Sequence, residues 1–318
     1  MDSVPYVFCE DVLERLTRKN LCTMTELSGQ WGSVAQRFLE KRRSFYTIIS
    51  KDDEGWFYAI ADEKTRENTE IGPHSHDEFL SMDQTHVKVQ QISIYSDPVQ
   101  LDVRKFRCSK EEMPRRVVPF LTLRMRPNST LSFSEDCPNE IALKCLDMFR
   151  KCVSFRMLNL LYVGPESEEF LALQLQNNPF MCSLMLCCWP HTDTTEQLLL
   201  TFLNSRKKRA LNMAQFPDIQ SPLKVTIRIV KAAVDSWVIG NERRALSVYG
   251  NAGVTREEIL SIRLPDNVTI REEEAEEEGD FRVRWTKEDG SDLKCDVTLS
   301  SDRVFINSSA DWFDSPFY

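Results

Sequence analysis

The sequence predicts a mixed α/β protein: a small N-terminal helical head, then irregular β-α repeats, then a C-terminal β-hairpin cap. Three observations predict it. Apolar residues recur at helical spacing through the first fifty positions, a short alternating apolar unit returns from about Gln91 onward with helical patterns between its copies, and two alternating segments flank the turn Glu288-Asp289-Gly290. The expected organisation is a head over residues 1–49, a connecting region over 50–90 and a repeat domain over 91–318, with the antiparallel cap from about 281.

In the head, Val4-Pro5 precedes Phe8, Val12, Leu13 and Leu16 on one helical face, and proline suits the start of a helix. A helix over about 6–16 follows. Arg18-Lys19-Asn20 interrupts the pattern, and Leu21, Met24 and Leu27 make a second short face. Leu27, Trp31, Val34, Ala35 and Phe38 then predict a third helix, its outer side carrying Gln36, Arg37, Glu40 and Lys41. Residues 50–90 are polar and read as loops around a short strand from Trp56 to Ile60.

The recurring unit is polar or small, then Leu or Ile, then polar or small, then apolar. Its second position falls at Ile92, Leu123, Leu158, Leu184, Leu211 and Leu246, steps of 31, 35, 26, 27 and 35 residues. Ala142, Cys145, Leu146, Phe149, Cys152 and Val153 predict a helix between two of these strands, and later apolar faces around Phe170, Leu199 and Val230 predict more. Because strand side chains alternate, Leu158, Leu160, Leu184, Leu186, Leu211 and Leu246 belong to a core. Asn159, Met185, Asn212, Ser247 and Tyr249 then point the other way and are the candidate substrate-binding residues. Glu272 to Glu278 is an acidic block expected to be a solvated loop or fraying helix. Phe281, Val283 and Trp285, then Leu293, Cys295, Val297 and Leu299, alternate as a hairpin, and Val304 to Ile306 adds a third strand.

Composition narrows the function classes. Lys and Arg number 40 against 49 Asp and Glu, a net charge of -9, so nonspecific attraction to nucleic acid is not expected. Nor is a membrane: the longest strongly apolar run, Leu184 to Trp189, is far short of the roughly 20 residues a spanning helix needs. With no basic leader ahead of an apolar core, and ten cysteines scattered through apolar stretches, the expected compartment is reducing and cytoplasmic. The basic run Arg206-Lys207-Lys208-Arg209 leaves a nuclear location open.

Ten glycines supply neither a G-x-G-x-x-G turn nor a P-loop. His74, His76, Asp77, Glu78 and His86 fall close together, as do Cys182, Cys187, Cys188 and His191, but neither set has the spacing of a metal site or a recognisable nucleophile and base. No catalytic residue, metal or cofactor is expected.

The order Val4-Pro5, Asn20-Leu21 and Leu27-Ser28-Gly29-Gln30-Trp31 resembles an F-box, in which a Leu-Pro pair opens the motif and a Trp follows at the third helix. The chain looks most like the divergent F-box proteins expanded in nematodes. Val4 stands in place of the usual Leu, Asn20 where Asp is common, and Gly29 is unusual beside a helix. The β-α units are similar to leucine-rich repeats, although the Asn that follows each strand of a regular repeat is absent. An ordinary α/β domain with a mixed sheet and a helical cap is the alternative architecture. The resemblance implies a noncatalytic adaptor of an SCF-type ubiquitin ligase. A Skp1-type adaptor, and through it a cullin ligase, would bind at Val4, Pro5, Phe8, Val12, Leu21 and Trp31, and an unidentified protein substrate would bind along the repeats. A repeat-type interaction scaffold without ligase association is the alternative function.

Overall fold

The computed structural model describes residues 4–14, 16, 18–62, 76–83, 86–96, 105–205, 209–213, 222–240, 246–274, 280–298 and 302–308. The chain divides into two compact units, residues 1–156 and 157–318. Both are mixed α/β.

The first unit opens with the three expected helices, α1 (Tyr6–Glu14), α2 (Arg18–Thr25) and α3 (Gln30–Lys41). The Pro5 carbonyl accepts the amides of Phe8 and Cys9 and so starts α1. Cys9, Leu13, Leu21, Val34, Ala35 and Phe38 form a closed core, with Val4, Leu16, Met24, Trp31 and Leu39 packed around it. Glycines at the start of α3, Gly29 at its N-cap and Gly32 in its first turn, are required by geometry. Gly29 has φ 75°, and a Cβ on Gly32 would stand 2.0 Å from the Leu27 carbonyl oxygen. The Arg42 guanidinium closes the head by donating to the carbonyls of Leu16 at 2.6 Å and of Leu13 and Glu14 at 3.0 Å, carbonyls at the end of α1 that lie beyond its regular helical hydrogen bonding. Burial lowers the Arg42 pKa to about 10, which still leaves it charged at neutral pH.

Immediately after Arg42 the chain enters a sheet, through β1 (Arg43–Asp52) and β2 (Gly55–Asp62). This hairpin crosses the expected boundary at residue 49, so the head ends at Arg42 and much of the supposed connecting region is strand. The unit continues with α4 (His76–Ser81), β3 (Val87–Ile94), β4 (Phe106–Cys108), a π-helical turn at 113–117, α5 (Val118–Arg124), β5 (Met125–Phe133) and α6 (Asn139–Phe149). Its strands lie in the order β5-β3-β1-β2-β4, with β1, β3 and β5 parallel. A Lys88–Glu14 ion pair and edge-on packing of His86 against Phe38, with ring centroids 4.9 Å apart, fasten the head to β3.

One expected strand is a helix. Thr122-Leu123-Arg124 belongs to α5, because Val117, Val118 and Leu121 bury a helical face while Leu123 is 80% exposed. The strand comes later, in β5, where Leu131 and Phe133 are buried. Likewise α6 stops at Phe149, short of Cys152 and Val153.

The second unit follows the expected alternation closely. It runs β6 (Phe155–Leu161), α7 (Pro165–Asn177), β7 (Ser183–Cys187), α8 (Asp193–Leu203), β8 (Arg209–Asn212), β9 (Lys224–Thr226), α9 (Ile227–Ile239) and β10 (Leu246–Gly253). The helix starts are written locally: Pro165 lies in the first turn of α7, and the hydroxyls of Thr192 and Thr226 accept amides of α8 and α9. Parallel pairing places β6, β7, β8 and β10 side by side in chain order, with the short β9 beside the far end of β10. Parallel crossovers are right-handed, and equal-handed steps in one direction put α7, α8 and α9 on the same face. The helices accordingly pack in sequence, α7 on α8 and α8 on α9. Beneath them Leu158, Leu160, Leu184, Leu186, Leu211 and Leu246 are buried, as expected.

After α10 (Arg256–Leu260), β11 (Val268–Glu274), β12 (Phe281–Lys287), β13 (Asp292–Thr298) and β14 (Arg303–Ser308) form an antiparallel meander joined to β10 through β14. The hairpin and third strand of the expected cap are β12, β13 and β14. Glu272 to Glu274, expected in a solvated loop or fraying helix, end β11 instead, whereas residues 275–279 lie outside the described residues.

Single-sided burial has a measurable consequence. Leu184→Ala removes a side chain enclosed between sheet and helices and should cost about 2–5 kcal/mol. Met185→Ala, on the opposite side of the same strand, should cost less than about 1.5 kcal/mol. Urea unfolding of the full chain followed by circular dichroism separates the two.

Candidate functional site

Two surfaces of the described residues carry side chains that the fold itself does not use, one on the head and one on the sheet of the second unit. On the head, α1 turns Cys9 and Leu13 inward and leaves Pro5, Tyr6, Val7 and Phe8 exposed, Val7 at 65% and Phe8 at 53%. The closed core of the head does not need this much apolar surface left in solvent. The Phe8 ring stands edge-on to Trp31 with centroids 6.3 Å apart, and the Arg37 guanidinium, paired with Glu10, lies 5.1 Å from the centre of the Tyr6 ring. Leu27, in the turn after α2, is exposed as well.

Of the expected adaptor-binding residues, Pro5 and Phe8 are therefore accessible, and Val4, Val12 and Trp31 are partly so. Leu21 is not. It is fully enclosed in the head core, because α2 turns it toward Cys9, Leu13 and Phe38. Sequence reading passed over Tyr6 and Val7, whose neighbours Phe8 and Leu13 satisfied the helical pattern without them.

On the second unit, register brings the expected substrate-binding residues together. Asn159, Met185, Asn212 and Tyr249 are direct neighbours across β6, β7, β8 and β10. The row continues through Phe305, Asp296, Arg282 and Glu273 on the antiparallel strands. Ser247 belongs to the adjacent row, Ser183-Ala210-Ser247-Asn307-Lys294-Arg284-Arg271. All of these occupy the face opposite α7, α8 and α9. Asn159, Met185, Asn212 and Tyr249 are half-buried, and Ser247 is buried.

The chemistry of this face changes along it. At the parallel end Asn159 accepts the Cys187 thiol proton at 3.1 Å. In the middle Tyr249 and Phe305 meet edge-on at 6.3 Å, and Arg303 donates to Asn251 at 2.7 Å with its guanidinium 5.7 Å from the Tyr249 ring centre. At the antiparallel end Arg282 pairs with Asp296, and Arg284 with Glu273 at 3.0 Å. The antiparallel half of the face was missed in sequence. Its signal was present in the polar positions between Phe281, Val283 and Trp285 and between Leu293, Cys295 and Val297.

The cysteine and histidine set near residue 190 is split between interior and surface, and the side chains of His76, Asp77 and Glu78 lie outside the described residues. Cys187 is buried, whereas Cys188 and His191 are exposed. Burial raises the thiol pKa of Cys108 to about 11 and of Cys137 to about 12, and pushes Cys145 and Cys295 up as well. His86 is buried and its pKa is lowered, chiefly by burial. His74 lies outside the described residues, among which no group of three or more His, Cys, Asp or Glu is placed to hold a metal ion.

Thiol accessibility gives a direct check. Ellman's reagent should modify Cys22 and Cys188, the two exposed cysteines, in the native protein. Cys145 and Cys295 should react only after denaturation, because a protonated, enclosed thiol is not a nucleophile. Mass spectrometry of the modified peptides reads both outcomes.

No protein-family model matches the chain, and no curated protein or solved structure matches it either.

Proposed function

We propose that the protein is a noncatalytic substrate-recognition adaptor of an SCF-type ubiquitin ligase. The head binds a Skp1-type adaptor, and the bare face of the second unit's sheet receives a protein substrate. The observation that carries this reading is α1: it has completed a core of its own and still holds Tyr6, Val7 and Phe8 in solvent. The order of Val4-Pro5, the three helices and Trp31, which resembles an F-box, supports the same assignment. Gly29, although unusual for the motif, has the positive φ that the entry into α3 requires, so its presence does not count against the reading. An interaction scaffold of the same architecture, without ligase association, is the second reading, and the same bare sheet face favours it equally.

Co-expression of the full chain with a Skp1-type adaptor separates the two. Deleting residues 1–49 is unsuitable, since the cut would remove most of β1 from the sheet. Point substitutions avoid this. Phe8→Asp and Val7→Asp change exposed side chains and should each weaken the complex about 30-fold or more, the loss of a central apolar anchor worth about 2 kcal/mol. Circular dichroism and thermal midpoint should stay unchanged. No complex from the folded wild-type chain would reject the ligase reading in favour of the scaffold.

A further inference from the structure

Resting on the reading of the sheet face as a recognition surface, we propose that it docks an acidic polypeptide segment, held by a cross-strand row of cations beside the Tyr249–Phe305 aromatic pair. The row is Arg271, Arg284 and Lys294, direct neighbours on β11, β12 and β13. Like charges set opposite one another on adjacent strands destabilise a sheet, so a row of three is an arrangement that folding alone disfavours. The neighbouring row shows the contrast. There Glu273, Arg282 and Asp296 alternate in sign, and Arg282 pairs with Asp296.

Compensation within the cation row is incomplete. Arg284 is offset by Glu273 at 3.0 Å and, more distantly, by Asp292 at 3.8 Å. Arg271 and Lys294 have no carboxylate partner among the described residues. In a chain with a net charge of -9 carboxylates are plentiful, yet none of the described ones forms an ion pair with either cation, although Glu273 flanks Arg271 and Asp292 and Asp296 flank Lys294 along their strands. An external carboxylate supplies the missing partner, and the guanidinium fork of Arg271 suits it geometrically.

Spacing favours a polypeptide. Two strand steps of about 4.8 Å put Arg271 and Lys294 about 10 Å apart, close to the roughly 9 Å between every third residue of a polyproline-II-like chain at about 3.1 Å per residue, whose third side chains return to the same side. Beyond Lys294, on β14 and β10, Phe305 and Tyr249 offer an apolar floor, with Arg303 beside it, for a side chain flanking the acidic positions. A continuous polyanion such as nucleic acid fits less well, because Glu273, Asp292 and Asp296 interrupt the face with negative charge.

Fluorescence anisotropy on the full chain tests this without any adaptor. The probe is a fluorescein-labelled peptide with Glu at every third position, Ser between, and one central Phe, compared with the same peptide carrying Gln for Glu. The wild-type chain should bind the acidic probe saturably, more weakly as salt rises, and should not bind the Gln probe. The double variant Arg271→Glu, Lys294→Glu should bind about tenfold or more weakly, with an unchanged thermal midpoint. Lys231→Glu, on the exposed side of α9, should bind as wild type. The proposal is overturned by any of three results: no saturable binding, equal binding of the Gln probe or of a thymidine oligonucleotide of equal charge, or full affinity in the folded double variant. Each leaves the adaptor-binding assignment of the head standing, and a failed adaptor complex leaves this one standing.

Discussion

Each crossover from β6 to β10 returns to a parallel strand one place further along the sheet, and the handedness of such crossovers is the constraint from which the second unit follows. Because the turn is always of the same hand, the helices gather on one face and the core lies entirely between them and the strands. The leucines at 158, 160, 184, 186, 211 and 246 supply that core, and a fully buried leucine is worth about 1.5–3 kcal/mol. A doubly wound sheet would have covered both faces. Here many alternate positions along the strands are half-buried and polar, among them Asn159, Asn212, Lys294, Asp296, Arg282 and Arg284, while Leu161, Cys187, Ser183 and Ser247 on the same face are buried.

A sheet extended by parallel units ends in an exposed edge, and the C-terminal meander deals with it. Strand β14 pairs antiparallel with β10, taking over the hydrogen-bonding groups that another repeat would have used, and β13, β12 and β11 carry the sheet on. The meander also preserves the single-sided character, since Phe281, Val283, Trp285, Leu293, Cys295 and Val297 are buried in alternation with half-buried polar residues. Lys287 marks the buried side: its ammonium donates to the carbonyls of Trp237 and Gly240 at the end of α9, where a cation complements the helix dipole. The meander therefore closes the repeats and lengthens their bare face at once.

Much of this was legible because period and burial agree. Strands β6, β7, β8 and β10, the helices between them and the final hairpin all announced themselves by apolar alternation or by helical spacing. The failures have a common cause. Four residues of alternating polarity are compatible with one turn of helix, so Thr122-Leu123-Arg124-Met125 passed as a strand although Val117, Val118 and Leu121 already formed a helical face. The same ambiguity acted in the head, where Leu21 and Phe8 are both apolar and sequence alone does not say which is enclosed. Cross-strand register was not legible at all. That Arg271, Arg284 and Lys294 stand in one row depends on turn lengths that pair residues distant in the chain.

The head shows why an exposed apolar face can be kept at little structural cost. A helix as short as α1 is marginal in isolation, and burial of Cys9 and Leu13 supplies only part of what holds it. Arg42 supplies another part by satisfying three carbonyls at its C-terminal end, and the Lys88–Glu14 pair ties that same end to the sheet. Both anchors act at Leu13 to Leu16, which leaves the first turn more lightly held, by the hydrogen bonds to Pro5, the edge-on contact of Phe8 with Trp31 and the Arg37 guanidinium beside Tyr6. The helix is thus fixed at one end and presented at the other. The sheet divides its labour in the same way: its apolar side is consumed by the core, and its other side is left with side chains whose chemistry the fold does not need.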